Sequence, residues 1–188
     1  MTWVSLFSGG KDSSWALYRA IESGRDVSRL VTVHPSEESY MYHVPATHLA
    51  ELAAESIGIP LLEVTADDLG AAAATDSGAQ GDAELEPLEA ALTDLGDVTG
   101  VIAGAVESAY QTDRIQGMCD RLGAELFSPL YGEDPEALAD QMLDAGFEIQ
   151  IVQVAAYGLD ESWLGRTLDR EAVADLQELN EEDGGPIL

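Results

Sequence analysis

Cysteine is almost absent from this chain: Cys119 is the only one in 188 residues. A single thiol excludes an internal disulfide and any CxxC redox or zinc site. Basic residues are also scarce. There are 8 Lys+Arg against 36 Asp+Glu, a formal net charge of -28. Such a balance disfavours non-specific capture of DNA, RNA or an anionic membrane. No run approaches the roughly 18 consecutive apolar residues of a membrane span. The opening MTWVSLFSGGKDSS lacks the basic lead and long apolar run of a secretory signal. A cytoplasmic protein with no membrane partner is expected. Neither the GxxxxGK[ST] phosphate loop nor GxGxxG occurs.

What is present is a core. The chain is 46% hydrophobic, and its Val, Ile, Leu and Ala segments argue against an acidic disordered chain. A length of 188 residues suggests one domain with a small appendage. So large a negative charge would repel itself in dilute salt, whereas screening at 1 M acts within about 3 Å. The expected setting is therefore a salt-rich, halophilic cytoplasm like that of a halophilic archaeon.

Strand-like and helix-like segments alternate. Short apolar runs at 2–7, 30–33, 60–64, 98–103 and 124–127 read as five strands. Helical spacing occupies 12–23, 46–57, 82–95 and 108–122, with Gly24 and Gly58 closing the first two. Residues 66–81, rich in Ala, Gly, Asp and Ser, read as a long surface loop. Beyond residue 132 come a helix at 136–145, a segment of β propensity at 147–155 and a helix at 169–179. The rhythm predicts an α/β fold, a parallel five-stranded sheet covered by helices on both faces, with a small C-terminal α/β extension. Residues 1–132 and 133–188 form the two expected parts. Ligands of such sheets lie beyond the carboxyl ends of the strands.

The loop after the first strand is Ser8-Gly9-Gly10-Lys11-Asp12-Ser13. Two glycines permit a tight turn and close approach to a ligand. The following helix offers unpaired amides to an anion, and Lys11 adds charge. A plain turn with Asp12 or Ser13 as N-cap is the structural alternative. The loop resembles the pyrophosphate loop of the PP-loop ATP pyrophosphatases, whose fold is adenine nucleotide alpha-hydrolase-like. That resemblance implies ATP phosphates held by Ser8, Gly9, Gly10, Lys11, Asp12 and Ser13, with Asp12 also helping to place Mg²⁺.

Further segments narrow the branch: Ser39-Tyr40-Met41-Tyr42-His43, Gly81-Asp82-Ala83-Glu84, and Gly104-Ala105-Val106-Glu107-Ser108-Ala109-Tyr110-Gln111 running on to Arg114, Cys119 and Leu122-Gly123. Pro129-Leu130-Tyr131, Ala145-Gly146-Phe147 and Trp163-Leu164-Gly165-Arg166 follow. Together they resemble the diphthine–ammonia ligase family over nearly the whole chain. The resemblance implies ATP-dependent amidation of diphthine on translation elongation factor 2. Ammonium is the nitrogen source, an acyl-adenylate the intermediate, and diphthamide, AMP and pyrophosphate the products. Fixed donors and Mg²⁺ would meet the charge developing on the phosphate and tetrahedral oxygens.

Candidate roles follow, each beside a plainer one. Gln111 and Arg114 are candidate orienting and clamping residues, sharing a helix face with Tyr110, which could stack on substrate or pack in the core. Their alternatives are a surface amide and a surface ion pair. Glu107 is a candidate Mg²⁺ ligand or ammonium site, or another surface acid. His34 and Gly104 would flank the nucleotide, His34 through backbone, and His43 would contact phosphate or remain a backbone-bonded loop histidine. Glu84 would face substrate, or merely suit a helix start. Trp163 would wall the diphthine pocket or belong to the core. Cys119 reads as a buried small hydrophobe.

A tRNA-modifying PP-loop enzyme and a non-catalytic adenine-nucleotide-binding protein are the rival functions. One cysteine argues against thiolation chemistry, and the scattered arginines form no evident basic strip, so no direct nucleic-acid partner is expected. Oligomeric state is open, a homodimer included. The family pattern continues with a Gly-Glu-Gly-Gly-Glu segment and a further strand, whereas this sequence stops at Gly184-Gly185-Pro186-Ile187-Leu188. The expectation is a chain that is either short or truncated there.

Overall fold

The computed structural model describes residues 2–34, 49–65, 77–106, 108–154 and 158–183. Five strands form one sheet: β1 Thr2–Leu6, β2 Val27–His34, β3 Leu61–Thr65, β4 Val98–Ile102 and β5 Glu125–Phe127. All pairings are parallel, in the order β3-β2-β1-β4-β5. Strands buried on both faces explain runs such as Leu30-Val31-Thr32-Val33, in which all four residues are buried.

Helices cover both faces, as expected. Helices α1 (Lys11–Glu22) and α2 (Ala50–Ile57) close one face, where Phe7, Leu17, Leu30, Ala50 and Ala54 pack together. Helices α3 (Ser77–Leu95) and α4 (Ala109–Leu122) close the other. There Leu85, Leu88 and Leu92 meet Ile115, Met118 and Cys119 over Val4, Val31, Val33, Val64 and Val101. The side-chain alternation of a strand sorts these two sets: Val31 and Val33 face one layer, Leu30 the other. A bidentate ion pair ties α3 to α4, with Arg121 Nε 3.0 Å and Nη2 2.6 Å from the Glu89 carboxylate oxygens.

Two expectations need correction. Residues 77–81, expected in a loop, begin helix α3. Gly78 and Gly81 lower local helix propensity, and packing of the later Leu85, Leu88 and Leu92 overrides it. The rest of that loop, 66–76, lies outside the described residues, as does 46–48 of the second helix. Residues 147–154 form no strand; Gln150 makes an isolated antiparallel bridge to Thr167. Ile151 N donates to Arg166 O and Gly165 N to Ile151 O, an irregular pairing that places Ile149 and Ile151 against the local core.

The chain divides into two compact units, Met1–Tyr131 and Gly132–Leu188. The second holds α5 (Pro135–Asp144), a short 3₁₀ turn (Glu161–Trp163) and α6 (Arg170–Asp183). Asp134 caps α5 by accepting from Ala137 N at 2.9 Å, with Pro135 at its first turn. Its core is built from Ala139, Trp163, Leu168, Ala172, Val173 and Leu176. Among the described residues no helix is long and apolar enough to cross a membrane.

Candidate functional site

The sheet reverses at its centre, because β1 lies between β2 and β4. The segment leaving β1 enters a helix on one face, and the segment leaving β4 enters a helix on the other. Two loops therefore diverge from the same sheet edge, which in open parallel sheets is where the ligand crevice lies.

The loop after β1 is tied into a closed ring by its serines. Ser13 Oγ donates to the Gly10 carbonyl at 3.0 Å. That leaves it to accept from Ser8 N at 3.3 Å and from the Ser8 hydroxyl at 3.1 Å. Ser8 Oγ in turn accepts from Gly10 N at 3.4 Å. Ser13 is 8% exposed, so this ring is an internal brace rather than a surface decoration. Gly9 has φ +80°, a left-handed conformation that L side chains rarely adopt.

Helix α1 starts at Gly10 with no side-chain cap. By contrast, Ser108 caps α4 by accepting from Gln111 N at 3.2 Å, and Asp169 caps α6 by accepting from Ala172 N at 2.8 Å. The first amides of α1 thus present their donors and positive helix end to the crevice. Lys11 stands at this turn and is the only lysine in the sequence. Its Nζ lies 2.7 Å from Asp12 Oδ1, with both side chains about one-third exposed. The arrangement suits a polyanion: backbone amides, a helix N-terminus and one mobile cation.

Gly104 brings the second loop against this turn. A Cβ at Gly104 would lie 3.0 Å from the Asp12 carbonyl oxygen and 3.1 Å from Ser13 Cα. Any side chain there would force one of the two backbones to give by a few tenths of an ångström. The expected meeting of the Ser8–Ser13 and Gly104 loops at one edge is therefore present. Beyond it, Arg114 lies along its own helix, with Cζ 3.7 Å over the Tyr110 ring and Nη1 donating to the Tyr110 carbonyl at 3.3 Å. Tyr110, Gln111 and Arg114 are all half-buried. Their helix covers the opposite face of the sheet from α1, so only its first turn and its loop belong to the shared edge.

The remaining candidates are dispersed or undescribed. His34 ends β2 at this edge, and its Nε2 lies 2.9 Å from Glu63 Oε1 on β3. Trp163 is in the core of the second unit, 8% exposed, with Arg166 Cζ 4.5 Å over its ring. Glu84 falls within α3, but its side chain is outside the described residues, as are His43 and Glu107 altogether. Among the described residues no group of three or more His, Cys, Asp or Glu could hold a metal ion. Cys119 is buried on α4, and burial, with a smaller effect of Asp120, pushes its thiol up to about 12.

Two hydroxyls escaped the sequence reading. Thr32, 2% exposed on β2, donates to the Phe7 carbonyl. Ser128, just after β5, donates to the Ala103 carbonyl at 3.4 Å. A threonine in LVTVH reads as ordinary strand, so no sequence signal marked it; its burial is the visible sign.

Comparison with known proteins bears on both units. Residues 1–126 match the diphthamide synthase N-terminal domain, and residues 134–185 match the diphthamide synthase C-terminal domain. A diphthine–ammonia ligase of Danio rerio is 32% identical over 195 residues, covering 96% of this chain and 75% of its own length. The Homo sapiens diphthine–ammonia ligase is also 32% identical, covering 89% of this chain and 67% of its own. That of Saccharomyces cerevisiae is 27% identical, and the match covers only 30% of its length. A crystal structure from Methanocaldococcus jannaschii, titled as a predicted subunit of tRNA methyltransferase, shares the fold. Its TM-score is 0.59 at 20% identity, covering 99% of this chain and 89% of that one. With both domain models matched in order across the two units, this chain belongs to the diphthamide synthase family.

Proposed function

We propose that the chain is an ATP-dependent, AMP-forming ligase that amidates diphthine on translation elongation factor 2 with ammonium, giving diphthamide. One observation carries the ATP part: the uncapped first turn of α1, bearing the only lysine, is pressed against Gly104 at the sheet reversal. Ser8, Gly9, Gly10, Lys11, Asp12 and Ser13 would receive the phosphates, with Gly104, His34 and His43 flanking the nucleotide. Residues 1–132 act as the ATP-binding domain and 133–188 as the part serving the protein substrate.

The chemistry sets the demands. A diphthine carboxylate oxygen attacks the α-phosphorus, the bond to the β-phosphate bridge breaks, and pyrophosphate leaves. Ammonium first gives up a proton to solvent, the ammonia so formed attacks the acyl carbon, AMP departs, and the nitrogen gives up its extra proton. Lys11 and the α1 amides stabilise the charge gathering on the phosphates in the first step. Gln111, on the first turn of α4, orients the acceptor carboxylate, Arg114 supports that turn by stacking on Tyr110, and Glu107 receives ammonium. Glu84 and Tyr110 contribute to diphthine recognition, whereas Trp163, enclosed in the core of the second unit under Arg166, serves packing there and corrects the expectation that it walls the pocket. Asp12, a half-buried carboxylate of the loop, suits a hard cation, and with Glu107 would hold Mg²⁺, which would supply charge neutralisation on the polyphosphate.

The net charge of -28 supports a salt-rich cytoplasmic setting, and a homodimer is compatible with the reading. The deciding experiment supplies ATP and ammonium with and without diphthine-bearing elongation factor 2. AMP and pyrophosphate formed only with the factor, and one amide gained on it, are expected. ADP as the main product would remove the chain from this chemistry.

A further inference from the structure

The two strand exits that frame the crevice are built alike. At the end of β1, Phe7 N donates to the Val31 carbonyl at 2.8 Å, and the Phe7 carbonyl accepts from the hydroxyl of the next residue on β2, Thr32. At the end of β4, Ala103 N donates to the Phe127 carbonyl at 3.0 Å, and the Ala103 carbonyl accepts from the hydroxyl of the next residue, Ser128. In each case the latched peptide immediately precedes a ligand loop, Ser8 in one and Gly104 in the other. A strand leaving its sheet gives up the next ladder bond, and a neighbouring side-chain hydroxyl supplies a donor in its place. The exits are thereby fixed at the point where the backbone turns toward the crevice. Because Gly104 touches Asp12 and Ser13 backbone, displacement of either exit is felt by both loops.

We infer that Thr32 and Ser128 are a pair of positioning residues that hold the Ser8–Ser13 and Gly104 loops in register for nucleotide. The inference rests on the ATP-binding reading of these loops, not on the identity of the acceptor. Neither hydroxyl touches ligand; each acts through the carbonyl it holds. Thr32, fully interior, is the stronger member, and Ser128, half-buried with a longer bond, the weaker.

Equilibrium titration of ATP against Thr32→Val, Thr32→Ser and Ser128→Ala tests this. Thr32→Val keeps the shape and removes the donor, and its ATP dissociation constant should rise about five- to ten-fold, as for one lost hydrogen bond. Thr32→Ser restores the donor and should bind within about two-fold of the parent. Ser128→Ala should show a smaller rise. Amide hydrogen exchange across residues 8–14 should quicken in Thr32→Val while the amides of α3 stay unchanged. Should Thr32→Val fail to fold, Ser128→Ala carries the test through the same two measurements. Parental ATP binding and loop exchange in the donor-less variants would overturn the inference, and so would a Thr32→Ser variant as impaired as Thr32→Val. A parent that binds ATP but fails to amidate diphthine overturns the proposed acceptor and leaves this inference standing. A parent that does not bind ATP overturns both.

Discussion

At the scale of single residues, the contrast between Lys11 and Ser13 defines what the first loop does. Lys11 is a partly exposed cation whose nearest acid is its own neighbour, so nothing in the core depends on it. Lys11→Ala should leave the fold intact and weaken ATP binding or slow adenylation by about 2–4 kcal/mol, the cost of an oriented electrostatic donor. Steady-state kinetics with pyrophosphate release would measure it. Ser13 instead knits the loop to itself through three bonds. Ser13→Ala should therefore raise the ATP dissociation constant directly. Gln111→Ala, whose backbone amide still meets the Ser108 cap, should lower the amidation rate more than ATP affinity. Equal effects of the two on ATP affinity would place Gln111 on the nucleotide instead. The loop was legible in the sequence because glycine, lysine and serine chemistry is local. The latches were not, because Thr32 and Ser128 each meet a carbonyl 25 residues away in the chain. No local pattern encodes such a partner.

Among the elements, helix α4 joins site and core. Its first turn faces the crevice, while Ile115, Met118 and Cys119 lie beneath it in the α3–α4 layer. Burial raises the Cys119 thiol to about 12. The unfolded chain loses this proton nearer the ordinary value of about 8.5. The folded state thus binds more proton between the two values, and the contribution is full below the lower one and lost as pH rises toward 12. Stability should fall by about 1.4 kcal/mol per pH unit across that window from this group alone. Cys119→Ala should flatten the slope, and denaturant melts from pH 8 to 11 would show it. Among the described residues of the first unit, the strands and most of the helices were legible because buried parallel strands are short β-branched runs and helices end in glycine. The start of α3 was not, since glycines at 78 and 81 speak against helix locally while the leucine stripe that secures it begins at Leu85. The FEIQIVQVA segment misled for the opposite reason. It has strand composition, but Ile149 and Ile151 are spent on the local core of the second unit, and the pairing stops at one bridge.

For the whole molecule, the decisive quantity is charge. With -28 formal charge, several of the few arginines are engaged with carboxylates. Arg121 pairs with Glu89, Arg166 with Asp175, and Arg170 with both Asp140 and Asp144. They serve as local neutralisers within an acidic shell, and the remaining carboxylates repel one another unless counter-ions screen them. The melting temperature should climb as KCl rises from about 0.1 to 2 M, where the screening length contracts several-fold. A flat or declining series would refute the salt-rich setting proposed for this chain.

The unfinished first turn of α1 has a thermodynamic consequence as well as a chemical one. On the proposed nucleotide reading an anion completes the opening amides of α1, and whatever completes them shares in the free energy of folding. Nucleotide then acts as part of the native state, by linkage. At a hundred times its dissociation constant, ATP should add about 2.7 kcal/mol to the stability of the unit that binds it. Pyrophosphate alone, which reaches the same amides without the base, should reproduce a large part of that gain, and adenosine very little. A thermal-shift series with these three ligands would separate the cap from the rest of the nucleotide. If the ranking holds, the cell's ATP level sets not only how fast this chain works but how much of it remains folded.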